Sequence, residues 1–292
     1  MARNITLGLI QMSMSADKDA NLAKAVRMIG EAAKKGAEIV CLPELFNLPY
    51  FPQDERNKEI EAEEIPGKTT DALARVAKDN KVVLVGGSIF EKGKDREKSG
   101  TKTYNTTVVF DETGKMLGTY RKVHVPHDEN FYEQNYFEPG DLGFKVFASG
   151  SKTQNAKLGT LICYDQWYPE AARSVALIGA NIIFYPTAIG TVRGVEQTEG
   201  NWQDAWETVM RGHAIANGMI VVAVNRVGNE GKMDFWGGSF VCDAFGKVIA
   251  RGGDKEEIII AKCDLEHGKS VREGWRFFYN RRPETYGLLV KK

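Results

Sequence analysis

A cysteine stands at the point where an apolar strand pattern changes into a helix pattern. The apolar residues 158–162 lead into Cys163, and Pro169 and Glu170, which are both favoured near a helix start, follow shortly after. A thiol becomes a nucleophile when it loses its proton, and a nearby positive charge or helix start promotes that loss. Lys122, which follows a predicted hairpin strand, could supply the charge. The position of Cys163 therefore indicates nucleophilic chemistry, whereas an isolated cysteine is usually a small buried hydrophobe.

The other cysteines have no such position. Cys41, Cys242 and Cys263 lie mostly within apolar runs, so we expect them to be buried thiols. Cysteines that are few and widely spaced favour reduced thiols in a cytosolic protein over a disulfide framework.

The composition is that of an ordinary globular protein that binds a small ligand. The chain has 292 residues, of which 42% are hydrophobic and 27% charged. Lysine plus arginine equal aspartate plus glutamate at 39 each, so no net charge draws the chain to nucleic acid or to an anionic membrane. The apolar residues 5–10 are too few for a signal peptide, and no run is long enough to span a bilayer. A cytoplasmic enzyme with a small-molecule substrate is the starting expectation.

Strand and helix patterns alternate along the chain, as in α/β proteins. Strands are predicted at 5–12, 38–42 and 82–90, and helices at 21–35 and 69–78. A hairpin with its turn at 111–114 joins strands at 107–110 and 115–118. The charged residues 91–102 are expected to form a solvated loop.

The second half of the sequence repeats the first. Four segments have counterparts in the same order, and the spacing between partners shrinks steadily along the chain. The matched segments are 7–10 with 158–161, 37–43 with 180–186, 82–85 with 220–223, and 111–115 with 243–247. We therefore predict an internal pseudo-duplication, with two similar sheets packed face to face and helices outside. The predicted fold class is α/β, a four-layer α-β-β-α sandwich.

The predicted frame carries different residues at equivalent strand ends. Ligands in α/β folds bind beyond the carboxyl ends of strands, where Glu44 follows one strand and Cys163 another. The repeat pairs Glu44 with Thr187 and Cys163 with Met12. We therefore expect a site built asymmetrically on a symmetric frame, with Thr187 among the residues that contact the substrate.

Three short segments together resemble the carbon–nitrogen hydrolase (nitrilase) superfamily. They are Leu-Pro-Glu at 42–44, Tyr-Arg-Lys-Val-His at 120–124, and Ile-Cys-Tyr-Asp at 162–165 leading into Pro-Glu at 169–170. Each segment is weak alone, whereas all three in this order are a strong signal over nearly the whole chain. The fold of that superfamily is an α-β-β-α sandwich, which agrees with the predicted duplication. The resemblance implies a single hydrolase domain over 1–292.

The resemblance also implies catalytic roles. Glu44 is implied as the general base, Cys163 as the nucleophile, and Lys122 as the cation that stabilises the tetrahedral intermediate. The backbone N–H of Tyr164 would join Lys122 in facing the oxyanion, an interaction that often dominates acyl-transfer catalysis.

A second glutamate often belongs to the site in this superfamily, shortly before a Tyr-Phe-x-Pro-Gly-Asp segment. That segment is at 136–141 here, and Glu133 matches the second glutamate. Glu138, inside the segment, is the competing assignment. An isolated carboxylate is usually a solvated surface group, so the role of Glu133 depends on the resemblance.

The segment after Cys163 indicates which amide is cleaved. Superfamily members that act on N-carbamoyl amino acids tend to carry arginine there, which binds the substrate carboxylate, whereas this chain has Tyr-Asp-Gln-Trp at 164–167. A pocket with an acid and no cation favours a substrate with an amine tail. The runs 163–173 and 185–190 look closest to the N-carbamoylputrescine amidases of polyamine synthesis, which release putrescine, ammonia and carbon dioxide.

Several side chains are candidates for substrate contacts. Asp165 is a candidate for binding the substrate ammonium, with a structural alternative in which it binds backbone at the helix start. Glu196 and Glu199, in a loop of the second half, are further acids. Trp167 and Tyr50 could enclose a slender aliphatic chain, although aromatic residues more often simply pack.

No metal and no organic cofactor are expected. Pro126 lies between His124 and His127 and breaks any helical ligand spacing, and no cysteines cluster nearby. His213 is predicted to pack within a helix or to be a hydrogen-bonded core group, and His267 to lie in a polar turn.

Alternative functions remain open at this stage. The substrate could instead be N-carbamoyl-β-alanine, an ω-amide or a nitrile. A non-catalytic binding member of the fold is a further alternative, which the presence of Glu44, Lys122 and Cys163 disfavours.

The C-terminal tail, about residues 270–292, suggests an assembly. It is rich in aromatic residues and arginine, which are enriched at protein interfaces. We expect a homo-oligomer, a dimer or larger, that uses this tail. The alternative is that the aromatic side chains dock on their own subunit.

Overall fold

Two β-sheets lie face to face at the centre of the protein, and helices cover the outer face of each. A computed structural model describes residues 4–57, 59–94, 101–150, 153 and 156–291. The first half contains β1 (Asn4–Gln11), α1 (Lys18–Lys34), β2 (Ile39–Cys41), α2 (Lys68–Asn80), β3 (Val83–Val85), β4 (Ile89–Lys94), β5 (Thr101–Phe110) and β6 (Met116–Arg121). The second half contains β7 (Val146–Ala148), β8 (Lys157–Thr160), α3 (Pro169–Ile178), β9 (Ile182–Pro186), β10 (Gly190–Val192), α4 (Trp202–Asn217), β11 (Ile220–Val224), β12 (Val227–Glu230), β13 (Met233–Trp236), β14 (Phe240–Cys242), β15 (Val248–Arg251), β16 (Glu257–Asp264) and α5 (Leu265–Trp275). Within the described ranges, no helix combines the length and the apolar character needed to cross a membrane.

Strand pairing confirms the predicted pseudo-duplication. In the first sheet β1, β2 and β3 are parallel, and β5 and β6 continue the sheet in antiparallel fashion. In the second sheet β8, β9 and β11 are parallel, and β14 and β15 continue it in the same way. The outer neighbours also correspond, because β16 lies antiparallel beside β1 and β7 lies antiparallel beside β8.

Alternate residues of the central strands fill the space between the sheets. Ile5, Leu7 and Leu9 of β1 pack with Ile182 and Phe184 of β9 in one buried cluster. The strand residues between them point to the outer faces. Those of the first sheet pack against α1 and α2, and those of the second sheet pack against α3 and α4. Successive side chains of a strand point to opposite faces, so a strand buried on both faces has a continuous apolar sequence. The predicted four-layer sandwich is confirmed.

Matched glycines allow a close approach to the first strand of each half. A Cβ atom built on Gly8 would lie 2.8 Å from the Cβ of Ala37, and one built on Gly159 would lie 2.2 Å from the Cγ1 of Val175 and 3.4 Å from the Cβ of Ala180. A side chain at either glycine would therefore push the outer layer away from its sheet. The repeat pairs Gly8 with Gly159 and Ala37 with Ala180, so the same packing constraint occurs twice.

The predicted helices are confirmed with shifted ends. The first begins at Lys18 rather than 21, because the side chain of Asp17 accepts hydrogen bonds from the N–H groups of Asp19 and Ala20 and caps the helix there. The second runs over Lys68–Asn80 rather than 69–78.

The predicted strand at 82–90 is wrong, because the chain forms two strands there. Gly87, between β3 and β4, has a φ of 60°, and a Cβ atom on it would lie 2.2 Å from the carbonyl oxygen of Pro43. The break places the hydroxyl of Ser88 where it accepts the N–H of Leu45 at 2.9 Å. The break at Gly87 and Ser88, which the sequence pattern does not reveal, thus supports the loop that follows β2.

The predicted solvated loop at 91–102 is also wrong where the structure describes it. β4 pairs antiparallel with β5 up to Lys94 and Thr101, and residues 95–100 of the prediction lie outside the described residues. The charged sequence misleads because Glu91 is buried and accepts two hydrogen bonds from Arg121, from Nη2 at 2.5 Å and from Nε at 2.9 Å. A paired charge can be buried in a strand where an unpaired one cannot.

The C-terminal tail lies on the outside of the molecule. None of the described residues from 272 to 291 is buried. Phe278 docks on its own subunit, where the Cζ atom of Arg173 lies 5.1 Å from the centroid of the Phe278 ring. In contrast, Tyr279, Leu288 and Val290 are 75%, 79% and 88% exposed. The homo-oligomer expected from this tail stays a prediction.

Candidate active site

Cys163 opens a tight turn between β8 and α3. The turn is a 3₁₀ helix over Cys163–Trp167, and Cys163 has a φ of 40°, in the left-handed region that residues with side chains rarely adopt. The residue is 8% exposed, and its Sγ lies 3.9 Å from the carbonyl oxygen of Ala188. Strained backbone of this kind persists where the surroundings over-determine it, and it clusters at active sites.

The thiol of Cys163 lies in surroundings that, taken together, raise its pKa. α3 begins at Pro169, so the 3₁₀ turn separates the thiol from the helix. Burial raises the pKa of the thiol well above its usual value, and Glu44 raises it further, while Lys122 opposes the rise. The resting sulfur is therefore a protonated thiol that needs a base to take its proton during attack.

Asp165 ties the Cys163–Trp167 turn to the end of β6. Its carboxylate is fully buried, and one oxygen accepts hydrogen bonds from the N–H of Ile162 at 2.9 Å and the hydroxyl of Tyr120 at 2.8 Å. The other oxygen accepts the N–H of His124 at 2.9 Å and lies 2.7 Å from Nδ1 of the same residue. Because both oxygens already have two partners, the structure favours the structural alternative for Asp165 over a contact with a substrate ammonium.

Glu44 lies in a buried loop that an arginine holds in place. Arg226 is fully buried and donates to the carbonyl oxygens of Glu44 at 2.7 Å, Leu45 at 3.0 Å and Leu48 at 3.3 Å. The loop needs this support because Leu45 has a φ of 45°. Glu230 balances the charge of Arg226 at 2.8 Å.

Lys122 lies between two buried carboxylates. Its Nζ is 2.9 Å from Oε1 of Glu44 and 2.7 Å from Oε2 of Glu133, and all three residues are at most 1% exposed. The hydroxyl of Tyr50 donates to Oε1 of Glu133 at 2.9 Å. The side-chain amide of Asn105 donates to Oε1 of Glu44 at 2.7 Å. Oε2 of Glu44 is buried and has no hydrogen-bond partner among the described residues.

These charges keep Lys122 cationic and give Glu133 a titration near neutral pH. Burial opposes the charge on Lys122, but Glu133 and Glu44 outweigh it and raise the pKa of Lys122 above its ordinary value. Burial raises the pKa of Glu133 to about 7, against the opposing effect of Lys122 and with a contribution from Glu44. The site therefore combines a protonated thiol, a lysine that stays protonated at neutral pH and a carboxylate oxygen that can accept a proton. Acyl transfer through a thioester requires these groups.

Residues 6–273 match the model of the Carbon-nitrogen hydrolase family. The chain belongs to this family. It is 39% identical to an N-carbamoylputrescine amidase of Solanum lycopersicum, covering 99% of this chain and 95% of the relative, and 37% identical to a citrullinase of Francisella tularensis, covering 99% of each. The crystal structure of a carbon-nitrogen hydrolase from Helicobacter pylori G27 superposes with a TM-score of 0.91 at 39% identity, covering 99% of both chains. The predicted enzyme class, a hydrolase of non-peptide carbon–nitrogen bonds, is confirmed.

The structure brings together the four side chains that the resemblance to this hydrolase family implied. Glu44, Lys122 and Glu133 form the buried ion-paired cluster, and each of them influences the pKa of the Cys163 thiol. Glu138, the competing assignment for Glu133, is exposed and offers no buried carboxylate to Lys122. The placement favours Glu133, while the catalytic roles stay predictions.

The aromatic and hydroxyl candidates of the hydrolase make different contacts. Tyr50 is buried and contacts Glu133 rather than presenting its hydroxyl to solvent. The hydroxyl of Thr187 donates to the carbonyl oxygen of Tyr185 at 2.9 Å. Trp167 is partly buried and packs on the core between the second sheet and its helices. Tyr164 follows Cys163 directly, and the role of its N–H in binding the oxyanion stays a prediction.

The two acids proposed to bind an ammonium differ in their surroundings. Glu196 is exposed. Glu199 is also exposed, and its Oε2 accepts the indole N–H of Trp202 at 3.2 Å. Glu196 is therefore the better candidate of the two, and its contact with substrate stays a prediction.

Arg226 and Asn105 belong to the architecture of the hydrolase site but were not selected from the sequence. Arg226 lies two residues after the apolar run Ile-Val-Val-Ala-Val at 220–224, and a charged residue just past the end of a buried strand was the available signal. Asn105 precedes the predicted hairpin strand, and a single polar residue carries no comparable signal.

Replacing Glu133 by glutamine is expected to flatten the pH dependence of thermal stability between about pH 4.3 and pH 7. The pKa of about 7 in the folded protein exceeds the value of about 4.3 for an unfolded glutamate, so the folded protein keeps a proton that the unfolded chain has released. The contribution of Glu133 to stability is therefore greatest below this window and falls as the pH rises to about 7. The melting temperature of the wild type should fall relative to Glu133→Gln by on the order of 3 °C between pH 5 and pH 7, as calorimetry would measure.

The exposed Glu138 provides the control for this measurement. Glu138→Gln should keep the slope of the wild type, because Glu138 is exposed and its replacement leaves the buried cluster of Glu44, Lys122 and Glu133 intact. If the melting temperatures of the wild type and Glu133→Gln changed with pH in the same way, the raised pKa of Glu133 would be contradicted.

Proposed function

We propose that the enzyme hydrolyses N-carbamoylputrescine to putrescine, ammonia and carbon dioxide through a thioester on Cys163. The observation that carries the chemistry is the placement of Lys122 between Glu44 and Glu133 beside a buried thiol, with one oxygen of Glu44 left without a partner. The similarity to an N-carbamoylputrescine amidase over nearly the full length of both chains supports the substrate.

The first half of the reaction forms the thioester. Oε2 of Glu44 takes the proton of the Cys163 thiol while the sulfur attacks the carbamoyl carbon. Lys122 and the N–H of Tyr164 stabilise the negative charge on the carbonyl oxygen. Glu44 then gives its proton to the leaving nitrogen as the carbon–nitrogen bond breaks, which releases the amine.

The second half uses water. Glu44 takes a proton from water as the oxygen attacks the thioester carbon, and it returns that proton to the sulfur as the carbon–sulfur bond breaks. The carbamate produced decomposes to ammonia and carbon dioxide, so the overall reaction consumes one water. Because Lys122 stays protonated at neutral pH, it can serve as the oxyanion cation in both halves.

The preference for an amine tail follows from the charges near the nucleophile. No lysine or arginine lies in the Cys163–Trp167 turn, so that turn provides no cation for a substrate carboxylate. The hydrogen bonds that both oxygens of Asp165 already accept argue against it as the ammonium ligand. We propose Glu196 as the distal acid, since it lies in the loop after β10 and its side chain is exposed.

Citrulline is the second candidate, because a citrullinase is similar to this chain over 99% of each. It carries the same ureido group as N-carbamoylputrescine, but its distal end has a carboxylate beside the amine. The chemistry at Cys163 would be identical, so the distal charge alone separates the two substrates.

Comparison of four substrates tests the proposal. Ammonia release should be faster from N-carbamoylputrescine than from citrulline, N-carbamoyl-β-alanine or an ω-amide, by roughly 100-fold or more in kcat/KM, because a substrate carboxylate would enter the site without a cation. A preference for citrulline or N-carbamoyl-β-alanine would refute the amine-tail argument. A cytosolic setting in polyamine synthesis belongs to the same proposal and agrees with the four free cysteines.

A further inference from the structure

Asn105 of β5 contacts both members of the Glu44–Lys122 pair. Its side-chain amide donates to Oε1 of Glu44 at 2.7 Å, and its backbone carbonyl accepts the N–H of Lys122 at 2.9 Å. The residue is 1% exposed, and pairing with Phe90 of β4 fixes its backbone. Asn105 therefore couples the geometry of the carboxylate to that of the ammonium.

The side chain of Asn105 serves the site rather than the fold. Its Oδ1 is buried and has no hydrogen-bond partner among the residues that the structure describes, so the amide uses its donor end on Glu44 and leaves its acceptor end unpaired. A buried polar atom without a partner is destabilising. An apolar side chain at this position would leave no buried polar atom without a partner. We therefore attribute the presence of asparagine to its hydrogen bond with Glu44.

That bond determines which oxygen of Glu44 can accept a proton. Asn105 and Lys122 both donate to Oε1, whereas Oε2 has no donor within the described part of the chain. With Oε1 held by two donors, the carboxylate cannot rotate without losing both. Oε2 is thus available to accept a hydrogen bond from another donor, and the protonated thiol of Cys163 is such a donor.

We infer that Asn105 is a positioning residue, which fixes the rotamer of Glu44 so that Oε2 accepts the proton of Cys163. The inference rests on the proposed role of Glu44 as the general base. Other titratable side chains also face Glu44, and they define the environment in which a variant must be interpreted. They are Lys122, Glu133, Cys163 and Tyr50.

Replacement of Asn105 by leucine removes the donor and keeps the branched shape of the side chain. We expect kcat to fall roughly 10- to 100-fold, the range for losing a hydrogen bond to a charged group. KM should change less than about threefold, because Asn105 contacts Glu44 and not the substrate. Alkylation of Cys163 by iodoacetamide should slow in parallel with kcat, because it needs the same proton transfer.

The alkylation rate separates positioning from a structural role. A variant that merely loosened the protein would expose the buried thiol and make alkylation faster. Asn217→Leu is the matched control, because Asn217 is also buried and donates to the carbonyl oxygen of His213 within α4. It should lower the melting temperature without slowing alkylation.

Glu44→Gln distinguishes failure of this inference from failure of the proposed function. If Glu44→Gln stays active, the base assignment is refuted. If Glu44→Gln is inactive while Asn105→Leu keeps the kcat and alkylation rate of the wild type, the inference about Asn105 is overturned. Should the leucine variant fail to fold, Asn105→Ala carries the same test, because it also removes the donor and introduces no added bulk.

Discussion

Replacing Cys163 by alanine is expected to reduce ammonia release by roughly 10⁴-fold or more, which is the scale for loss of a catalytic nucleophile. The proposed reaction has no route around the thioester, because Glu44 takes its proton from the thiol and Lys122 stabilises the oxyanion that forms when the sulfur attacks. The alanine variant should still fold, since the residue is small and the turn is held by the four hydrogen bonds of Asp165. Steady-state assays together with thermal melting would measure both effects.

Another buried cysteine provides the control for this experiment. Cys263 is 1% exposed and belongs to the core between the sheets, so Cys263→Ala should lose some stability and keep its activity. Mass spectrometry of the wild type after incubation with a slow substrate should show an added carbamoyl group on Cys163 and none on Cys263. Activity in Cys163→Ala comparable to that of the wild type would refute the nucleophile assignment and favour the non-catalytic alternative.

The frame of the fold could be predicted from the sequence because its main determinants are local and repeated. Apolar runs such as residues 182–186 and 220–224 are buried on both faces in parallel strands, and this environment leaves a clear sequence pattern. The repeat was visible because equivalent positions, such as Gly8 and Gly159, meet the same packing constraint. The predictions failed at 82–90 and 91–102, where Gly87 and the Glu91–Arg121 pair act through partners distant in the chain.

The candidate site was only partly predictable for the same reason. Glu44, Lys122 and Cys163 stand in short motifs, so their types and order identify them. Asn105 and Arg226 act through contacts with the Glu44 loop that depend on the folded arrangement of the strands, and no spacing rule reveals such contacts. Asp165 was ambiguous because a carboxylate can bind backbone or ligand, and only the hydrogen bonds it makes decide between them.

Lys122→Met is expected to abolish activity and to destabilise the protein at the same time. The variant leaves the carboxylates of Glu44 and Glu133 buried without their cation, and breaking a buried pair in this way destabilises by roughly 3 to 5 kcal/mol. For a protein of this size that corresponds to a loss of about 5 to 8 °C in melting temperature. The loss should be smaller at pH 5 than at pH 8, because two neighbouring carboxylates without a cation favour the protonated form, and acid supplies the proton.

The double variant Lys122→Met with Glu133→Gln separates the two roles of the lysine. Removing one of the stranded charges should recover part of the melting temperature, since only Glu44 then lacks a counterion. Activity should not recover, because the oxyanion has lost its cation whatever the charge of Glu133. A double variant that regained both stability and turnover would mean that Lys122 acts only as a counterion for the two acids, and oxyanion stabilisation would then fall to backbone groups such as the N–H of Tyr164.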